Sequence, residues 1–247
     1  MESRFRLYTD LAWLWPLWGD PAEEYATYDH HVIDLMERHA QRPVDSLLNI
    51  GCGGGKNALN LKARYAVTGL DLSPAMLVQA QSLNPDCRFL QGDMRTFALD
   101  ERFDAVLMDD AISYMHCLDD LRAAFARAHA HLQPGGVMVV TPDVTRESFQ
   151  QNRTQATTVS REAEGLDVVF VENVYDPDPN DEHYETTVVY LIRQHGQLRI
   201  ETDRWTLGLF AIGTWRQVLR ETGFELHEAP FTLGEDSYTA FACVKPG

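Results

Sequence analysis

Between Leu47 and Asn57 the chain reads LLNIGCGGGKN, and twenty residues past the first glycine of that run comes Asp71, within GLDLSPAM (Gly69 to Met76). An apolar run (Val44, Leu47, Leu48, Ile50) enters a glycine-rich turn, and a helix-compatible stretch follows. A second apolar run, Ala66 to Leu70, ends at an acid, Asp71. Strand, glycine loop, helix, strand and acid in this order make half of a nucleotide-binding parallel sheet. Glycine lets the backbone pass close to a ligand where a Cβ would collide. A carboxylate at the end of the second strand is placed to accept both hydroxyls of an adenosine ribose, so the expected ligand is an adenosine derivative.

The same alternation continues. After Ser73 and Pro74, a good N-cap and first helical residue, a helix is expected to about Leu83, and Asn84-Pro85-Asp86 turns the chain. Strands are expected at Arg88 to Gln91, Phe103 to Met108 and Val137 to Thr141, with a helix from Asp119 to His131 before the last. Strands alternating with helices at this spacing argue for a parallel sheet with right-handed crossovers. From Val168 the pattern changes to three consecutive strands, Val168–Tyr175, Tyr184–Gln194 and Gln197–Leu207, with His195-Gly196 in a tight hairpin; such short links imply antiparallel pairing. A helix from Gly213 to Glu221 and two strands, Phe224–Pro230 and Tyr238–Val244, end the chain. The first forty residues read as helical and unusually aromatic.

Composition narrows the function. The 247 residues carry a formal charge of −16, which argues against nucleic acid, because phosphate binding relies on Lys and Arg. The acid is either an ordinary solvated surface or a field that steers a cationic ligand. Cys52, Cys87, Cys117 and Cys243 show no paired spacing, so neither a zinc site nor a disulfide framework is expected, and reduced thiols fit a cytoplasmic protein. No run approaches the roughly 20 apolar residues of a membrane span. The apolar stretch Leu11 to Trp18 is interrupted by Pro16 and bracketed by Asp10 and Asp20, and reads as part of the fold rather than a leader.

The loop Gly51-Cys52-Gly53-Gly54-Gly55, together with Asp71-Leu72-Ser73-Pro74-Ala75-Met76, resembles the class I S-adenosylmethionine-dependent methyltransferases over nearly the whole chain. Asn84-Pro85-Asp86, Gly92-Asp93-Met94-Arg95, Tyr8, Tyr25 and the strand insertion resemble more narrowly the amino-sugar N,N-dimethyltransferases. The resemblance implies an α/β fold: a doubly wound, Rossmann-like seven-stranded sheet with helices on both faces and a small antiparallel β insertion over the active site. Residues 1–40 would form a helical lid, 41–160 the S-adenosylmethionine-binding core, 161–208 the insertion, and 209–247 the last helix and closing strand pair. It further implies a donor site in which Asn49, Gly51, Cys52 and Gly53 meet the methionine portion. Asp71 would hold the ribose, Leu72 and Met76 would pack on the adenine, Asp93 would accept from its amino group, and Met94 would cover the ring. Tyr8, Tyr25 and Asp109 are further donor contacts by the same resemblance, and no metal is implied. One position departs from it: the family generally carries Asp or Glu where Asn49 stands.

For chemistry the candidates are Asp110 and His116. Methyl transfer is an in-line displacement on a sulfonium, so most of the work is positioning and exclusion of water. An amine nucleophile must also be neutral, which calls for a nearby base. The leading expectation is methyl transfer to a nitrogen or oxygen of a small molecule, with S-adenosylhomocysteine as the other product. A non-catalytic donor-binding module and, more remotely, a nicotinamide dehydrogenase stand as alternatives. The insertion is either a substrate platform or a homodimer interface.

Overall fold

The computed structural model describes residues 5–23, 25–234 and 236–247; residues 1–4 and 24 of the expected lid lie outside them. The elements of the first half are α1 (Ala26–His39), β1 (Ser46–Ile50), α2 (Lys56–Leu61), β2 (Ala66–Asp71), α3 (Pro74–Leu83), β3 (Arg88–Gln91), β4 (Phe103–Met108), α4 (Leu118–His131) and β5 (Leu132–Val140). Then come β6 (Thr154–Arg161), β7 (Leu166–Tyr175), β8 (His183–Gln194), β9 (Gln197–Gly208), α5 (Ile212–Glu221), β10 (Glu225–Leu233) and β11 (Asp236–Val244).

Seven strands form one sheet in the order β10-β11-β5-β4-β1-β2-β3. β1 to β5 are parallel, whereas β11 runs antiparallel to both β5 and β10. The doubly wound sheet expected from the alternating pattern is therefore present. Side chains on successive strand positions point to opposite faces, and the core divides accordingly. Leu48, Ile50, Val106 and Met108 pack with α4 and α5; Leu47, Ala105 and Leu107 pack with α1 and α2. Both faces are covered by helices, so the central strands read as continuous apolar runs rather than alternating ones. Strand order reverses at β1, where β2 departs on one side and β4 on the other. The carboxyl ends at that point form the crevice where such sheets bind ligands.

The insertion differs from expectation in having four strands, β6-β7-β8-β9, all antiparallel. The additional strand, β6, is exposed along nearly its whole length, so its sequence carries no apolar alternation and only its pairing with β7 defines it. His195 and Gly196 both take positive φ, 49° and 81°, in the two-residue hairpin of the β8–β9 link. One face of this sheet buries Val168, Phe170, Tyr184, Val188 and Tyr190 against Leu7, Leu11 and Leu14. Each such side chain contributes about 1.5–3 kcal/mol of burial.

The described residues of the first forty are less helical than expected: two short 3-10 segments, Arg6–Tyr8 and Ala12–Leu17, precede α1 among them. Pro16 within the second lacks the amide hydrogen a continuing helix needs. Tertiary contacts hold this segment instead. Buried Asp203 on β9 accepts from the Leu7 backbone N–H and from Trp205 Nε1, each at 2.9 Å.

Candidate active site

Two glycines fix the loop after β1 against its neighbours. Gly51 has φ +74°, and a Cβ there would lie 2.3 Å from the Ala111 Cβ; a Cβ on Gly54 would lie 2.2 Å from the Trp15 ring. The loop is thus held between the segment following β4 and the indole of Trp15. Lys56, at the start of α2, is buried, with Nζ 4.5 Å from the centre of a Trp15 ring and donating to the Trp18 carbonyl. Trp18 in turn lies 4.5 Å, centroid to centroid, from Phe170 on β7. Aromatic packing therefore docks the N-terminal segment onto both the glycine loop and the second sheet, with a cation–π contact added.

Asp71 ends β2 beside this loop. Its Oδ2 accepts from Gly53 N–H and its Oδ1 from Ser73 N–H, both at 2.8 Å. Burial raises its pKa, while the backbone N–H groups of Ser73, Gly53 and Leu72 pull the other way. Each carboxylate oxygen keeps a further lone pair, which fits the two adjacent hydroxyls of a ribose. Ser73 caps α3 by accepting from Met76 N–H at 3.2 Å, and its own hydroxyl donates to the Tyr8 carbonyl at 2.5 Å. That bond brings Tyr8 to the start of α3, two residues beyond Asp71. The Tyr8 hydroxyl lies 2.7 Å from that of Tyr114.

The remaining expected donor contacts are placed unevenly. Leu72 is 63 % exposed and open to a ligand, whereas Met76 is fully buried under the first turn of α3. Cys52 is buried, and burial pushes its thiol pKa well up. Met94 approaches the point where a Gly51 Cβ would sit to 3.5 Å, so it stands over the loop. Asp93 is engaged by Arg95, at 2.6 Å, which holds its carboxyl below the usual range; Arg95 also bridges to Asp120 at 3.0 Å. Asn49 is buried on β1, and its Nδ2 finds no hydrogen-bond partner. A buried donor left over beside the ligand loop suits an acceptor group on the ligand better than the carboxylate that usually stands there.

Beyond β1, at the carboxyl ends of β4 and β5, lies a cavity of about 200 Å³ lined in part by Tyr25, Tyr28, Asp109, Asp110, Phe231 and Tyr238. Asp109 is raised well above the usual carboxylate range by burial and by the adjacent Asp110, and hydrogen bonds from Tyr28 and Asn57 oppose the shift. Asn57 Nδ2 reaches Asp109 Oδ2 at 3.3 Å and Asp29 Oδ1 at 3.1 Å; Asn60 Nδ2 donates to the other Asp29 oxygen at 2.8 Å. Asp29 is buried, and burial raises its pKa to about 7. Asp110 opens the short 3-10 turn Asp110–Tyr114 and adds negative potential at Tyr8, Tyr28, Tyr114 and Tyr184, raising the pKa of all four together with burial. His116 does not line the cavity. It is exposed and faces His183 of β8, ring centres 6.5 Å apart. Among the described residues no group of three or more His, Cys, Asp or Glu side chains could hold a metal.

Sequence reasoning missed Tyr28, Asn57, Asp29, Phe231 and Tyr238. Tyr28 and Asp29 carried a weak signal as polar groups on the core-facing side of α1. The hairpin residues carried none.

Comparison with known proteins agrees with this geometry. Residues 47–136 match the family described as "Methyltransferase domain". The chain is 36 % identical over 142 residues to dTDP-3-amino-3,4,6-trideoxy-α-D-glucopyranose N,N-dimethyltransferase of Streptomyces venezuelae, covering 57 % of this chain and 60 % of that protein. The chain therefore spans less than two thirds of the length of this curated relative. Over the whole chain it superimposes on the crystal structure of Streptomyces venezuelae DesVI with a TM-score of 0.81 at 26 % identity, covering 100 % of both. Its TM-score is 0.77, again at 26 % identity and covering 98 % of both chains, with S-adenosylmethionine-bound CalS10, an amino pentose methyltransferase from Micromonospora echinaspora. The sheet order, the glycine loop closed on Asp71 and these likenesses converge: residues 47–136 are a methyltransferase domain, and the whole chain shares the fold of these methyltransferases.

Proposed function

We propose that the protein transfers a methyl group from S-adenosylmethionine to a nitrogen or oxygen of a small molecule, with the amine of an amino sugar as the leading acceptor. The observation that carries this reading is the closure of the glycine loop on Asp71 through Gly53. The relatives, named as amino-sugar and amino-pentose methyltransferases, support the acceptor class.

The bound donor supplies an electrophilic methyl on a sulfonium. In this reading the backbone of Gly51 to Gly53 meets the methionine end, with the Asn49 amide as a donor toward it. Asp71 takes the ribose hydroxyls, Leu72 and Met76 pack on the adenine, Met94 covers the ring, and Asp93 accepts from its amino group beside Arg95. Tyr8, Trp15 and the lid formed by residues 1–40 exclude water from above, and the antiparallel insertion is the platform over the acceptor. Asp110 receives the proton that the acceptor nitrogen must shed, because it stands at the carboxyl end of β4 in the cavity wall. His116 assists from the platform side, where it faces His183.

No helix among the described residues is long and apolar enough to cross a membrane. Cys52, Cys87, Cys117 and Cys243 are free thiols, which suits a reducing cytoplasm. The acidic chain suits a small acceptor rather than nucleic acid. Exposed Leu198 and Ile200 on the edge strand β9 are the proposed homodimer contact, which light scattering tests.

The decisive test is calorimetric titration with S-adenosylmethionine, S-adenosylhomocysteine and NAD, followed by mass spectrometry of amino sugars and simple amines incubated with donor. Binding of both sulfur compounds and a methyl-sized mass gain on an amine are expected. Binding of NAD with both sulfur compounds silent overturns the reading.

A further inference from the structure

The cavity at the ends of β4 and β5 has a lining distinct from the glycine loop and Asp71. Four of its residues are aromatic and form a continuous arc: Tyr25 lies 6.3 Å from Tyr28, Tyr28 lies 5.9 Å from Phe231, and Phe231 stacks on Tyr238 at 5.3 Å with 22° between planes. Asp109 stands in the same wall, and it cannot swing freely because Asn57 holds its Oδ2. Asn57 is itself anchored on buried Asp29, which Asn60 grips from the other side. Among the described residues lining this cavity there is no Lys, Arg or His.

Aromatic rings around a fixed acid match one ligand chemistry well, an alkylated ammonium, whose positive charge favours the ionised form of Asp109 against the upward push of burial. Such a cation is weakly hydrated, presents methyl groups to ring faces and is attracted by their quadrupoles. Location decides which ammonium. The donor's markers, Gly51, Asp71 and Asp93, lie along β1, β2 and β3, whereas this cavity lies at β4, β5 and the β10–β11 hairpin, on the other side of β1.

We propose that Tyr25, Tyr28, Phe231, Tyr238 and Asp109 form a box that holds the acceptor nitrogen as it becomes a methylammonium. This inference rests on the methyl-transfer reading and deepens it. The neutral amine donates its lone pair to the methyl carbon, the carbon–sulfur bond breaks with its electron pair staying on sulfur, and the positive charge passes from sulfur to nitrogen. A box complementary to the charge on nitrogen favours the transition state over the starting amine. The methylammonium then loses a proton to a carboxylate or to water and is ready for a second methyl. Asp109 and Tyr25, both expected from the sequence to touch the donor, belong to this box, and Asn57 is the positioning residue of Asp109.

Tetramethylammonium is the probe, with tert-butanol as a neutral molecule of similar shape, titrated into the full chain alone and with saturating S-adenosylhomocysteine. The expected result is binding of tetramethylammonium but not of tert-butanol, undiminished by S-adenosylhomocysteine. Asp109→Asn and Phe231→Leu should each weaken it about tenfold while S-adenosylhomocysteine affinity stays within about twofold. Competition between tetramethylammonium and S-adenosylhomocysteine assigns the cavity to the donor and overturns the proposal, and this measurement needs no variant. Absence of tetramethylammonium binding in a protein that binds S-adenosylhomocysteine also overturns it, while leaving the methyl-transfer reading standing. Loss of S-adenosylhomocysteine binding itself strikes that reading instead.

Discussion

The backbone N–H of Gly53 donates to Asp71 Oδ2 at 2.8 Å, so the carboxylate that ends β2 also fixes the glycine loop after β1. One side chain thereby shapes the turn after β1 and, through Ser73 N–H, the start of α3. Replacing Asp71 with alanine removes charge-assisted hydrogen bonds worth about 1.5–3 kcal/mol. Donor affinity measured by calorimetry should fall roughly 10- to 150-fold. Unchanged affinity in a folded variant removes Asp71 from the site.

Asp110 separates chemistry from donor binding. Asp110→Asn keeps the size of the side chain but gives up most of its basicity. Turnover of an identified amine acceptor should fall by about 10²–10⁴-fold, the usual range for a general base, with donor affinity changed far less. Equal losses in both make Asp110 a donor-binding residue.

Gly51 has no room for a side chain. Gly51→Ala meets a left-handed backbone cost of about 1–2 kcal/mol and a clash with the Ala111 Cβ. In a chain of this size each kcal/mol lowers Tm by about 2–4 °C, and donor binding should be lost as the loop shifts. Adding Ala111→Gly relieves the clash but not the backbone cost, so the double variant should regain only part of both.

Asp29 makes stability depend on pH in a direction set by its burial. Its pKa rises from about 3.9 in an unfolded chain to about 7 in the fold. Between these values the folded state holds more protons than the unfolded one, so this group's contribution is fully present below pH 4 and is lost as pH climbs through 7. The loss is at most about 4 kcal/mol. Asp29→Asn abolishes the titration, and urea unfolding between pH 4.5 and 7.5 should show a flatter dependence than wild type. An identical slope means that Asp29 does not carry the buried proton.

Much of the fold was legible because it is written in local periods. Apolar runs ending in Gly51 or Asp71 mark parallel strands whose carboxyl ends carry function, and Ser73-Pro74 marks a helix start that the structure reproduces with a cap to Met76. His195-Gly196 marked a hairpin because two positive φ values are cheap there. β6 was not legible: its side chains face solvent along nearly the whole strand, so only the ladder with β7 makes it a strand.

The sequence by itself determined the parallel sheet, the glycine loop and the acid Asp71 that closes it, because each depends on residues within one strand–loop–helix unit. Tertiary structure alone decided which groups share a wall. Tyr28, Asp109 and Phe231 are far apart in the chain, and only the crossovers of the sheet and the return of β10 and β11 bring them together. It also decided that Met76 is buried while Leu72 stays open, and that Trp15 packs on the loop with Lys56 against its ring. Burial and long-range packing are properties of the closed fold, and the residue types along the chain do not encode them one by one.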